Sequence, residues 1–409
     1  EQVMEMSRAS GDAYRTLERM TQHGLRVIGV ATGSGSSLDT VSSWTFLGLV
    51  GLKDEPREQA KESVAWCQAQ GIQVLMVTGD HPETAFAIGK ELGIAHRHAE
   101  VVTGQELDML TDTELTTRLL HARIFARINP LHKKRIVELL QRQGKRVAVT
   151  GDGVNDAPAL QSADIGIAMG KSGTDVARAA ADLILTDDHF ATIVLAIQEA
   201  RAVMARIRKV ILYLFSTNAA EIVVVGMILV LGLPIPLLPV QILWLNILTD
   251  VSLVVALALE PHRESSRRHS RSILDGKSLI RMSLMAGVMA LTTFLAYGFG
   301  LQKGQVAYLQ SLTLLVLASA QWWNAWNCRS ETTSVFRLPF FGNRLLLGMT
   351  LLTIALQLSA HYFAPLSRLL GTVPLTAGEW FAMLALSSLV LWVEEARKWY
   401  ARRQSAILA

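Results

Sequence analysis

Val149-Thr150-Gly151-Asp152-Gly153-Val154-Asn155-Asp156-Ala157-Pro158-Ala159-Leu160 is the stretch on which the reading of this chain turns. An apolar strand ends in Thr-Gly-Asp, and the glycines permit a tight loop after it. Two carboxylates, Asp152 and Asp156, and the amide of Asn155 crowd onto that loop. Hard oxygen donors of this kind suit Mg2+, which keeps several waters and takes few carboxylates together with phosphate oxygens. Such an ion would neutralise charge on a phosphoryl group in transfer.

Two further strings upstream have the same character. In Val77-Thr78-Gly79-Asp80-His81-Pro82 an apolar strand runs into a turn, and Pro82 suits the first turn of a helix. Thr78 and the Gly79 amide then stand at a helix N-terminus, where orphan N–H groups favour phosphate. In Phe125-Ala126-Arg127-Ile128-Asn129-Pro130-Leu131-His132-Lys133 a strand end and a proline place Lys133 in the first turns of a helix. Its ammonium would offer a point charge to a phosphoryl oxygen.

Working outward, a helix over 14–22 and a strand over 26–31 precede an alternating region. Apolar strands are predicted at 45–49, 73–77, 123–125, 146–149, 164–168 and 182–185, with helical periodicity at 56–70, 82–92, 130–143 and 174–180. This alternation predicts a doubly wound parallel sheet, whose ligands bind at the carboxyl ends of the strands.

The composition does not suit one soluble globule. Of 409 residues 50% are hydrophobic and only 18% charged, with a mean hydropathy of +0.31. From residue 190 a long helix starts basic (Arg201, Arg206, Arg208, Lys209) and turns apolar to about 231. Further spans are predicted near 238–258, 282–301, 307–327, 343–362 and 378–395, about six in all, each long enough to cross ~30 Å of hydrocarbon. Arginines and lysines gather at 262–281 (Arg263, Arg267, Arg268, Arg271, Arg281), at Arg329, Arg337 and Arg344, and at Arg397, Lys398, Arg402 and Arg403. The positive-inside rule then puts the soluble part and the C-terminus in the cytoplasm. The net charge of +4 is modest and no nucleic-acid partner is expected. Cys67 and Cys328 share no metal spacing and read as reduced thiols.

Acidic and amide groups recur at membrane depth. Asn218 and Glu221 are three apart, and Asn246, Thr249 and Asp250 fall at i, i+3 and i+4, so each set shares a helix face. Such groups are costly in lipid and are expected to face the bundle interior. Together they offer an all-oxygen donor set for a hard cation such as Ca2+ or Na+, with no soft ligand for copper or zinc. Interhelical hydrogen bonding alone would explain Asn and Thr, but explains Glu221 and Asp250 poorly.

The three phosphate-handling strings, with Asp164-Ile-Gly-Ile-Ala-Met-Gly170, Gly173-Thr-Asp-Val-Ala177 and Asp182-Leu-Ile-Leu-Thr-Asp-Asp188, resemble the P-type cation-transporting ATPases. The resemblance implies an α/β haloacid-dehalogenase-like (Rossmann-type) phosphorylation domain over 37–197. It further implies the end of a nucleotide-binding domain over 1–36, and the family's fifth to tenth membrane helices over 198–409. It implies that Asp152 ligates Mg2+ with Asp156 in support. Thr78, Gly79, Asp80, Lys133 and Asn155 would surround the phosphoryl group and ATP, with Arg26 and Arg127 near the nucleotide. Asn218, Glu221, Asn246, Thr249 and Asp250 match ligands of the calcium-pump branch. In the eighth helix of that branch a ligating Glu is replaced here by Gln321, which suits one Ca2+ rather than two. Val251-Ser-Leu-Val254 also departs from the usual Gly-Leu-Pro.

The family's phosphorylated Asp, in a D-K-T-G-T string, has no counterpart in this sequence; Leu38-Asp39-Thr40 and Thr103-Gly104-Gln105-Glu106 are partial look-alikes. The sequence starts at Glu1 inside a helical pattern, so a parent chain about twice as long is expected, with the aspartyl-phosphate formed outside this chain. The leading expectation is thus the C-terminal part of a Ca2+ pump in a bacterial plasma membrane, inactive alone. Its rivals are a pump for Na+, K+ or H+, a split-pump subunit, and a non-catalytic membrane partner.

Overall fold

A computed structural model of the chain describes residues 3, 11–22, 25–33, 44–52, 59–260 and 274–407. Leu38-Asp39-Thr40 and four arginines of the basic connection (Arg263, Arg267, Arg268, Arg271) lie outside those residues. The chain divides into two compact units, Glu1–Gln198 and Glu199–Ala409.

The first unit runs α1 (Gly11–Gln22), β1 (Arg26–Gly33), β2 (Trp44–Leu52), α2 (Ala60–Ala69), β3 (Met76–Val77), α3 (Pro82–Glu91), β4 (Val101–Thr103), α4 (Gly104–Met109), α5 (Asp112–Leu119), β5 (Ile124–Ala126), α6 (Pro130–Arg142), β6 (Ala148–Gly151), α7 (Ala157–Ser162), β7 (Ile165–Met169), α8 (Asp175–Ala180) and β8 (Leu183–Leu185). Two three-stranded ladders, β3-β5-β4 and β6-β7-β8, are parallel throughout. Around the first, Phe125 of the central strand packs with Leu107, Leu115, Leu119, Ile136 and Leu139, while Ile124 and Ala126 pack with Val64, Ala85 and Ile94. Alternate residues of one short strand thus feed two helical layers, which is why the strand is apolar without a break. The second ladder repeats this, with Ala168 against Leu160 and Ala177, and Ile167 against Leu185 and Ile193.

Two expectations are corrected. The strand predicted at 45–49 is not part of the parallel sheet: β2 pairs antiparallel with β1, from Arg26 opposite Leu52 to Gly33 opposite Trp44. The segment 101–119, where no strand or helix is predicted, holds β4, α4 and α5. Three residues of strand and a six-residue helix are too short to leave a periodic signature.

α9 (Phe190–Val230) begins in the first unit, and its residues from Glu199 onward belong to the second. There follow α10 (Pro239–Trp244), a π-helical turn (Leu245–Asp250), α11 (Val251–Ala258), α12 (Gly276–Leu301), α13 (Val306–Cys328), α14 (Arg344–Tyr362), α15 (Ala364–Leu370), α16 (Ala377–Ser387) and α17 (Leu389–Ile407). Among the described residues, five segments are long and apolar enough to cross a membrane: Phe190–Val230, Pro239–Ala258, Gly276–Leu301, Arg344–Tyr362 and Ala377–Gln404. The sixth expected span, α13, is as long but more polar. It is buried on every face, its Gln310, Ser311, Thr313, Ser319, Gln321, Asn324 and Asn327 included. A central helix need not be greasy, because it meets other helices and not lipid.

Asp164 fastens β7 to β6. Its carboxylate accepts from Val147 N at 2.9 Å, from Arg146 at 2.6 Å and from Gln141 at 3.2 Å. The Val147 amide first, then Arg146 and Gln141, pull its pKa down to about 2. An unfolded Asp titrates near ~3.9, so this stabilisation is complete above about pH 4 and lost as the pH falls towards about 2. The urea midpoint of the detergent-solubilised chain is expected to exceed that of Asp164→Asn at about pH 5, with the gap closing near pH 2. An equal gap at both values would contradict the assignment.

Candidate functional site

In the first unit the site grows from the ends of β3, β5 and β6. The loops after β3 and β5 are laced together: Thr78 N donates to Phe125 O at 2.8 Å, Arg127 N to Asp80 O at 3.0 Å and Ile128 N to Thr78 O at 3.1 Å. Thr78 Oγ1 donates to Asp80 Oδ2 at 2.8 Å and accepts from Asp80 N at 3.1 Å, which shapes the Thr78-Gly79-Asp80 turn. Arg127 has a φ of +52°, uncommon for a residue with a side chain. Arg26 is placed only as the first residue of β1.

Asn129 caps α6, its Oδ1 accepting from His132 N at 2.9 Å, and Pro130 occupies the first turn. That turn carries Lys133, whose ammonium donates to Asp156 Oδ1 in a half-buried ion pair. The other Asp156 oxygen accepts from Asp152 N at 3.2 Å and Gly153 N at 3.1 Å. Both oxygens of Asp156 are therefore engaged in holding the loop. Gly151 is required beneath it, since a Cβ there would stand 2.4 Å from Asp156 Cβ. Asp152 differs: its backbone carbonyl accepts from Thr174 N at 2.8 Å, but its exposed carboxylate makes no hydrogen bond among the described residues. Asn155 is exposed on the same loop. The donor set fits Mg2+, with one open carboxylate and room for waters and phosphate oxygens.

In the second unit Glu221 accepts from Gln321 Nε2 at 2.9 Å and from Asn246 Nδ2 at 3.4 Å. Asp250 accepts from Tyr213 Oη at 2.6 Å and Thr217 Oγ1 at 3.3 Å. Glu221, Thr249, Asp250 and Gln321 are all buried. Asn218 does not join them: its Nδ2 donates to Leu214 O of its own helix at 2.8 Å. Asn246, Thr249 and Asp250 lie in the π-helical turn, whose wider winding re-aims their side chains relative to an α-helix. Tyr213 and Thr217 emerge only from the structure. Their spacing, at i−8 and i−4 from Glu221, is the signal that puts them on its face. Gln321 Oε1 is buried with no hydrogen-bond partner. A buried acceptor without a protein partner, beside a carboxylate, is open to a water or a cation. No group of three or more His, Cys, Asp or Glu side chains converges among the described residues, so a cation here needs amide, hydroxyl or carbonyl oxygens as well.

Comparison with known proteins finds matches for both units. Residues 31–164 match the family described as haloacid dehalogenase-like hydrolase, and residues 234–400 match Cation transporting ATPase, C-terminus. Calcium-transporting ATPase 1 of Bacillus cereus is 37% identical over 97% of this chain and 46% of its own length. Calcium-transporting ATPase 1 of Schizosaccharomyces pombe is 39% identical, over 95% and 44%. Probable cation-transporting ATPase F of Mycobacterium tuberculosis is 36% identical, over 92% and 43%. The class is thus an integral membrane protein with a haloacid-dehalogenase-like domain. The chain belongs to the P-type cation-transporting ATPase family, aligns with the C-terminal portion of its pumps, and spans less than half the length of these relatives.

The membrane cluster makes a contrast testable. Gln321→Leu strips a donor from buried Glu221 and is expected to cost ~1–3 kcal/mol. Asn218→Ala loses only a bond to its own helix and is expected to cost under ~1 kcal/mol. Thermal unfolding of the detergent-solubilised variants checks this; equal losses would mean Asn218 has partners that the structure does not give it.

Proposed function

We propose that this chain is the C-terminal portion of an ATP-driven pump that moves Ca2+. The observation that carries this reading is the pairing of Glu221 with Gln321, whose free carbonyl oxygen is buried beside it. Two carboxylates and neutral oxygens suit one hard divalent ion. The relatives named as calcium-transporting support the choice of ion.

ATP would phosphorylate an Asp outside this chain. Asp152 would hold Mg2+, which when bound supplies charge neutralisation to the phosphoryl group. Lys133, fixed on Asp156, would present its ammonium to the phosphoryl oxygens, and the Thr78-Gly79-Asp80 turn its hydroxyl and amides. Arg26, Arg127 and Asn155 would contact nucleotide. In the membrane, Ca2+ would take Glu221, Asp250, Asn246, Thr249 and Gln321, which requires the Asn246 and Gln321 carbonyls, and not their amide nitrogens, to turn towards the ion. The domain limits 1–36, 37–197 and 198–409 belong to the same reading. So does a bacterial plasma membrane, with the phosphorylation domain and C-terminus in the cytoplasm.

The test uses vesicles containing the full-length pump. Micromolar Ca2+ is expected to stimulate ATP hydrolysis, and Glu221→Gln to abolish that stimulation. Asp152→Asn is expected to raise the Mg2+ requirement by ~10-fold or more. Hydrolysis driven by Na+, K+ or H+ but indifferent to Ca2+ would replace the ion. No hydrolysis with any cation would favour a non-catalytic membrane partner.

A further inference from the structure

The Thr103-Gly104-Gln105-Glu106 string has no part in the phosphoryl site described so far. Thr103 ends β4 and caps α4, its hydroxyl accepting from Glu106 N at 3.2 Å. α4 in turn delivers Asp108, whose Oδ1 lies 2.7 Å from His132 Nε2. This approach depends on glycine at 104, where a Cβ would stand 2.3 Å from Arg127 O and 3.3 Å from His132 Cε1.

His132 is buried although it borders an open cavity of about 400 Å³ that Asp108, Arg127 and Asn129 also line. Its Nδ1 faces Asn129 N at 3.5 Å and therefore acts as the acceptor. That leaves Nε2–H to donate to Asp108; Asn129 Nδ2, 3.2 Å from Nε2, is itself a donor and adds no hydrogen bond in this tautomer. The next residue is Lys133, paired with Asp156. One helical turn is thus fixed at two points, by His132 to α4 and by Lys133 to the Asp152–Asp156 loop.

We propose that His132 and Asp108 are positioning residues for Lys133: they set the first turn of α6 and so hold the Lys133 ammonium at the loop that carries Asp152. The magnitudes favour geometry over stability as their contribution. The Asp108 side chain is 68% exposed, so solvent screens its attraction to His132 and the pair adds little to folding. Displacing a reacting group by about 1 Å, by contrast, can cost ~100-fold in rate. This inference rests on the reading of Lys133 as the lysine that meets the phosphoryl group.

The test is a double-mutant cycle on ATP hydrolysis by the full-length pump. His132→Ala and Asp108→Ala are each expected to lower kcat by ~10-fold with KM for ATP within ~2-fold. Asp108→Asn, which keeps an acceptor for Nε2–H, is expected to retain most of the rate. On a Lys133→Ala background, followed by single turnover, His132→Ala and Asp108→Ala should cost almost nothing further. Should His132→Ala fail to fold, Asp108→Ala carries the cycle, because its side chain is mostly in water. Full additive losses on that background would overturn the proposal, as would unchanged kcat in both single variants while Lys133→Ala is impaired. An unimpaired Lys133→Ala would instead overturn the phosphoryl-site reading, and this inference with it.

Discussion

Glu221 and Asp250 are buried within segments long and apolar enough to cross a bilayer, and the second unit is organised around satisfying them. A carboxylate at that depth is tolerable only if protein donors or a cation replace the water it has lost. The donors come from three places: Tyr213 and Thr217 on α9, Asn246 on the π-helical turn, and Gln321 on α13. α13 must therefore run through the middle of the bundle. Once there, it extends the polar seam, with Asn324 donating to Ser216 Oγ at 2.8 Å and Asn327 to Val390 O at 3.0 Å. Buried ion pairs mark the same design nearby, Arg281 with Glu394 at 2.7 Å and Arg329 with Glu260 at 3.2 Å. Such pairs add little net stability after desolvation, but losing one partner is costly, so they fix which helices are neighbours.

The first unit divides labour in a comparable way. Asp156 gives both oxygens to structure, one to Lys133 and one to two loop amides. Asp152 is left open on the loop so held. A rigid acceptor and a free one, four residues apart, make a preorganised place for charge. Asp188 does similar work next door, accepting from Lys171 N at 2.9 Å and Ser172 N at 2.8 Å. Those amides, the Lys171 bond first, bring its pKa to about 2, so the loop that meets Asp152 through Thr174 keeps its anionic anchor at any ordinary pH.

Much of this is legible in the sequence because the constraints are local. The Thr-Gly-Asp strand ends, the proline starts of α3 and α6, and the Asn218/Glu221 and Asn246/Thr249/Asp250 spacings are short-range patterns. Gln321 is reached only through the resemblance to the calcium-pump branch, in which a ligating Glu stands at its position. What escapes depends on distant partners. Nothing near residue 45 states that β2 will run antiparallel to β1, since strand direction is settled by the partner. Tyr213 and Thr217 share the Glu221 face, yet hydroxyls are common enough on helices to raise no suspicion. The π-helical turn contains neither Gly nor Pro to announce it. Asn218 has the right spacing, but its amide nitrogen donates to the carbonyl one turn back, as that of Asn246 does too. The span at 307–327 is legible, but the polarity of α13 makes sense only once its central place is known.

The claim with most at stake is that Glu221, Asp250 and Gln321 together hold a single Ca2+. Equilibrium 45Ca2+ binding to the purified full-length pump tests it most directly. One ion per pump at saturation, and none with Glu221→Gln, is the expected result. Two ions, or one that survives the loss of Glu221, would contradict it.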